Sequence, residues 1–128
     1  MARILLVDDE RDVVTLLKFM LEKDGHMVLC AYDGAEALAK AGVEPHDETA
    51  VIPDLVILDV LMPVMDGETA CARLREDART KSVPIIVLTA KGQADNHFDP
   101  ICGELAHLEK PFDPRVLREL VVKLLEKR

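Results

Sequence analysis

The stretch LVILDVLMP, residues 55–63, sets four consecutive apolar side chains, Leu55 to Leu58, directly before a carboxylate, Asp59, and a turn at Pro63. A run that is apolar without alternation is expected of a strand covered on both faces, as in a parallel sheet. RILLV (3–7) and PIIVLT (84–89) have the same character. MVLCA (27–31) and the weaker LAHLE (105–109) complete a set of five strand candidates.

Helical patterns lie between the strands. Val13, Leu16, Leu17, Met20 and Leu21 form a stripe at i, i+3, i+4 spacing that stops at Gly25. DGAEALAKAG (33–42) is alanine-rich and ends at Gly42, and DGETACARLRED (66–77) directs Ala70, Cys71 and Leu74 inward. In the last helix Asp113 is a candidate cap, Pro114 suits the first helical position, and Leu117, Leu120, Val121 and Leu124 form one face. Strands alternating with helices imply right-handed crossovers and a doubly wound α/β sheet. Two connections are irregular. GVEPHDETAVIP (42–53) is long and polar and reads as a mobile loop, with His46, Asp47 and Glu48 solvated rather than gathered on a metal. In GQADNHFDPICGE (92–104), Pro100 and Gly103 interrupt the spacing of Phe98, Ile101, Cys102 and Leu105, so the fourth helix is expected to be short or irregular, starting at Asp99–Pro100.

The 128 residues suit one core, and with three Phe, one Tyr and no Trp that core must be aliphatic. No linker or repeat divides the chain, so residues 1–128 are expected to form one domain. No apolar run approaches the ~20 residues of a membrane span, and MARILLVDDE lacks the long apolar region of a signal peptide, so a cytoplasmic protein is expected. Cys30, Cys71 and Cys102 are too few and too scattered for a disulfide or zinc framework. A formal charge of −8 argues against direct nucleic-acid binding, since phosphate backbones attract basic surfaces.

In an open parallel sheet, ligands bind beyond the carboxyl ends of the strands. The first strand ends in Asp8, Asp9 and Glu10, the third in Asp59, the fourth in Thr89, and the fifth runs into Lys110. Singly, Asp9 and Thr89 could cap helices and Lys110 could be a surface lysine. Together they converge on one edge. Neighbouring carboxylates repel one another, and a hard divalent cation relieves the conflict. Magnesium takes one or two carboxylates plus a phosphate oxygen and keeps its waters, which suits Asp8, Asp9 and Asp59. Lys110 can supply a point charge and Thr89 a hydrogen bond to phosphoryl oxygens. Asp59 is then a candidate nucleophile for phosphoryl transfer.

LLVDDERD, LVILDVLMPVMDG, IIVLTAKG and HLEKPF occur in an order and spacing that closely resembles the response-regulator receiver domain of two-component signalling, over essentially the whole chain. The resemblance implies a flavodoxin-like (βα)5 fold with a five-stranded parallel sheet of order 2-1-3-4-5 and a cis Lys110–Pro111 bond. It implies a phosphorylation-dependent switch rather than an enzyme. Asp59 would accept a phosphoryl group from a sensor histidine kinase or phosphotransfer protein. Asp8, Asp9, Asp59 and the backbone carbonyl of Leu61 would hold Mg2+, with Mn2+ as an alternative. Thr89 and Lys110 would bind the phosphoryl group, and Thr89 and His107 would carry the switch to the face formed by the fourth helix, fifth strand and last helix. A phosphorylation-dependent dimer is a further implication, and the downstream target or output domain is left open. Leu61 and Lys91, two residues after Asp59 and Thr89, flank the route of attacking water, and the apolar Leu61 predicts slow self-dephosphorylation.

Three rival readings are weaker. A haloacid-dehalogenase-like phosphatase needs a second acid where Leu61 stands. A flavodoxin-like flavin carrier would not place Asp8, Asp9 and Glu10 in its phosphate loop. A receiver fold that binds partners without phosphorylation would not need the full set of acids, threonine and lysine.

Overall fold

The computed structural model describes residues 2–60, 62–90, 100–103 and 105–126. Five strands, β1 (Arg3–Val7), β2 (Met27–Ala31), β3 (Leu55–Asp59), β4 (Ile85–Thr89) and β5 (Ala106–Glu109), alternate with helices. Among the described residues the α-helices are α1 (Arg11–Lys23), α2 (Gly34–Lys40), α3 (Gly67–Glu76) and α4 (Pro114–Glu126), and one turn of 3-10 helix spans Pro100–Cys102. The sheet runs β2-β1-β3-β4-β5 with every pairing parallel. This is the flavodoxin-like order expected from the resemblance.

The apolar runs occupy the middle of that sheet. β3 and β4 are buried at all five positions, and β1 at all but Arg3. The edge strands β2 and β5 alternate instead between more and less covered positions. Successive strand side chains point to opposite faces, so each central strand feeds two cores. Leu5, Val7, Val56, Leu58, Ile85 and Val87 pack with Ala37 and Leu38 of α2 and Ala70, Cys71 and Leu74 of α3. Ile4, Leu6, Leu55, Ile57, Ile86 and Leu88 pack with Val14, Leu17 and Leu21 of α1 and Leu117 and Val121 of α4. Each fully buried aliphatic side chain contributes roughly 1.5–3 kcal/mol, which fixes the strand register and with it the carboxyl-end residues.

The helices are set by local signals. Asp33 Oδ1 accepts a hydrogen bond from the Glu36 amide at 2.7 Å, and Asp66 Oδ1 accepts one from the Thr69 amide at 2.8 Å, so both aspartates cap their helices. Asp113 accepts from the Arg115 amide at 2.9 Å as Pro114 opens α4. Gly25 follows α1 at φ +94°, a conformation an L side chain rarely adopts.

In α1 the buried face is Val14, Leu17 and Leu21, whereas Leu16 is 58% exposed. Of the stripe expected from sequence, Leu17 and Leu21 are buried and Val13 and Met20 pack against the same core, so only Leu16, about 100° round the helix from Leu17, departs from it. The 42–53 connection is a loop of successive turns, and Arg79 donates from Nη1 to the Asp47 carbonyl at 3.0 Å and from Nη2 to the Gly42 carbonyl. His46 and Glu48 are exposed there, 3.5 Å apart. Of the expected irregular fourth helix, residues 91–99 and Glu104 lie outside the described residues. What is described is the single 3-10 turn at Pro100–Cys102, followed by Gly103 at φ +65°.

Candidate functional site

Asp8 and Asp59 are brought side by side because β1 and β3 are neighbours, with Val7 opposite Leu58. Asp8 is fully buried and Asp59 nearly so, while Asp9 is exposed. One carboxylate oxygen from each of Asp8, Asp9 and Asp59 falls within a sphere where all three lie within 4.8 Å of one another. Among the described residues this is the single grouping of three such ligands. Oxygen donors of this number and charge fit a hard divalent cation.

Lys110 faces this cluster from the end of β5. Its Nζ lies 2.9 Å from Asp8 Oδ2, 3.4 Å from Glu10 Oε1 and 3.6 Å from Asp59 Oδ2. Burial alone would lower the lysine's pKa, but the hydrogen bond to Asp8 and the charges of Asp8, Asp59 and Glu10 outweigh it and raise the pKa above 10.5. The ammonium is therefore fully charged at neutral pH. Its backbone is held as well: the Lys110 amide donates to the Thr89 carbonyl at 2.7 Å, and the Lys110–Pro111 bond is cis, as expected. Asp8 is fixed from a second side by the Glu10 amide, which donates to Oδ1 at 2.9 Å.

Thr89 ends β4, one register step beyond the Asp59–Leu88 pair. It is only 3% exposed, and its Oγ1 has no hydrogen-bond partner among the described residues. A buried hydroxyl left without a partner costs about 1–3 kcal/mol. This threonine therefore ends the strand next to the one that carries Asp59 with a donor to spare among the described residues.

Of the residues singled out in the sequence, Asp8, Asp9, Asp59, Thr89 and Lys110 stand at the carboxyl edge of the sheet. His107 does not join them: its ring is exposed on β5, where the residue pairs in register with Val87. Leu61 and Lys91 lie outside the described residues. Asp9 does not cap α1, because Glu10 occupies that position and makes no side-chain cap bond. Sequence reasoning named Glu10 among the strand-end acids without giving it a role, and its reach to Lys110 across the sheet was not readable from spacing. Gly67 was missed too. A Cβ there would stand 2.3 Å from the Asp59 carbonyl oxygen and 2.8 Å from Val60 Cα, so only glycine lets α3 start so close to β3.

The Response regulator receiver domain family matches residues 4–122. The chain belongs to that family. The chain is 42% identical over 129 residues to the alkaline phosphatase synthesis transcriptional regulatory protein PhoP of Bacillus subtilis, a match covering 98% of this chain and 49% of PhoP. It therefore spans about half the length of that relative. Over 98% of both chains it is 37% identical to protein PilH of Pseudomonas aeruginosa. Among solved structures, the receiver domain of the sensor histidine kinase PA1611 from Pseudomonas aeruginosa superposes with a TM-score of 0.84, at 29% identity and with 98% of both chains covered. That receiver domain holds a magnesium ion coordinated in its active-site cleft. Receiver domains are signalling proteins of two-component systems rather than enzymes in the usual sense. No helix among the described residues is long and apolar enough to cross a membrane.

Proposed function

We propose that residues 1–128 act as one receiver domain that takes a phosphoryl group onto Asp59 from the phosphohistidine of a sensor histidine kinase or phosphotransfer protein, and changes conformation in response. The observation that carries this reading is the convergence on one sheet edge of Asp8, Asp9 and Asp59 with Lys110 and with the Thr89 hydroxyl, which has no partner among the described residues.

In the transfer, a carboxylate oxygen of Asp59 forms a bond to phosphorus as the phosphorus–nitrogen bond of the donor imidazole breaks, and the imidazole leaves with the bonding pair. Lys110 balances the charge on the phosphoryl oxygens, and Thr89 donates its hydroxyl to one of them. Asp8, Asp9 and Asp59 would hold Mg2+, whose bound charge lowers the repulsion between carboxylate and phosphoryl group. The burial of Asp59 holds its carboxylate in place, which favours a fixed geometry for attack. Movement of Thr89 toward the new group, relayed to His107 on β5, would then alter the surface around β5 and α4.

Incubation with acetyl phosphate and magnesium tests this. The expected result is a mass increment of one phosphoryl group that is absent in Asp59→Asn, with matching changes in the amide spectrum on adding beryllofluoride. A folded wild-type protein that takes up no phosphoryl group and does not respond to beryllofluoride would instead support a receiver fold that binds partners without phosphorylation.

A further inference from the structure

We infer that Glu10 is a positioning residue for Lys110: it holds the ammonium on the rim of the cluster, so that Asp8 can be given up to a divalent cation without losing the lysine from the site. The inference rests on the function proposed above.

Lys110 contacts three carboxylates, and they are not equivalent. Asp8 and Asp59 are buried and belong to the trio that fits a cation. Glu10 is outside that trio, and its side chain is 62% exposed. An ammonium 2.9 Å from Asp8 Oδ2 and a divalent cation on the same carboxylate repel each other, so cation binding weakens the lysine's hold on Asp8. Glu10 Oε1, at 3.4 Å, is the partner that remains for it. The same contact then works in the opposite direction. With the cation bound, a phosphoryl group on Asp59 must draw Lys110 away from Glu10. Glu10 should therefore favour cation binding and oppose phosphoryl binding, both through one lysine.

The test is a double-mutant cycle of wild type, Glu10→Gln, Lys110→Met and the double variant, followed by amide spectra during titration with magnesium alone, then with beryllofluoride at saturating magnesium. Should Lys110→Met disturb the fold, Lys110→Gln replaces it. For an exposed ion pair, Glu10→Gln should weaken magnesium binding about two- to five-fold and tighten beryllofluoride binding by about the same factor. In the Lys110 variant both effects should disappear. If Glu10 acts only through the field of its charge, the two effects persist at full size without Lys110, and the inference is overturned. Equal affinities for wild type and Glu10→Gln overturn it as well. A wild-type protein that binds neither probe overturns the proposed function, and this inference with it.

Discussion

Thr89 shows most directly how a site residue departs from what stability alone would choose. Its Oγ1 is buried without a partner among the described residues, whereas Thr80, the other buried threonine, donates its hydroxyl to the Leu74 carbonyl at 2.6 Å. Replacing Thr89 by valine removes the unmet hydroxyl at nearly the same volume. Thr89→Val should therefore raise the unfolding free energy by about 1 kcal/mol in metal-free buffer, while beryllofluoride affinity falls at least about ten-fold. Urea unfolding and titration of the same samples measure both. Loss of stability in Thr89→Val would show that the hydroxyl has a structural partner after all. The importance of Asp8, Asp9, Asp59, Thr89 and Lys110 was legible in the sequence because each lies at, or within two residues of, the end of a strand-like run, and strand ends in a parallel sheet share one edge. Glu10 was not legible as a partner of Lys110, since their contact spans 100 residues of chain and depends on where a long side chain turns.

At the scale of elements, β3 and α3 are joined more closely than their sequence suggests. The Gly67 amide donates to the Val60 carbonyl at 2.8 Å, drawing the start of α3 onto the end of the strand that carries Asp59. Any side chain at Gly67 must push the two apart. Gly67→Ala should cost about 2–3 kcal/mol, as overpacking against backbone does, and should slow phosphoryl uptake because Asp59 moves with its strand. Chemical denaturation alongside acetyl-phosphate labelling checks this; unchanged stability and uptake would show that the junction relaxes freely. Farther along α3, Arg75 donates to the carbonyls of Cys102, Lys81 and Val83, tying the 3-10 turn and the entry to β4 to the same helix. The strands were readable because continuous apolar runs admit few other placements. Leu16 was misjudged because it neighbours Leu17 in sequence yet lies about 100° round α1 from it, outside the face that packs on the sheet. The clamp made by Arg75 gives no sequence signal, since its acceptors are backbone carbonyls.

Across the whole molecule, charge is distributed unevenly. The chain carries 24 acidic and 16 basic residues, and several of the acids crowd the carboxyl edge of the sheet. Ion pairs elsewhere oppose this imbalance by joining distant parts of the chain. Asp24, just after α1, accepts from Arg118 Nε of α4 at 2.8 Å, linking residues 94 positions apart on the face that α1 and α4 cover together. The Arg118 hydrogen bond outweighs burial and lowers the Asp24 pKa below its ordinary 3.8. A carboxylate whose pKa is lower folded than unfolded binds fewer protons in the native state. Its contribution to stability is therefore complete above about pH 4, the unfolded value for aspartate, and is lost as pH falls through the lower, folded value. Asp24→Asn removes that dependence. Urea midpoints of wild type and variant should differ by a constant amount from neutral pH down to about pH 5, then converge below pH 4 as the wild-type carboxylate takes up its proton. A gap that stays constant to the lowest pH at which both proteins remain folded would mean that Asp24 supports the α1–α4 face through packing, not through its charge.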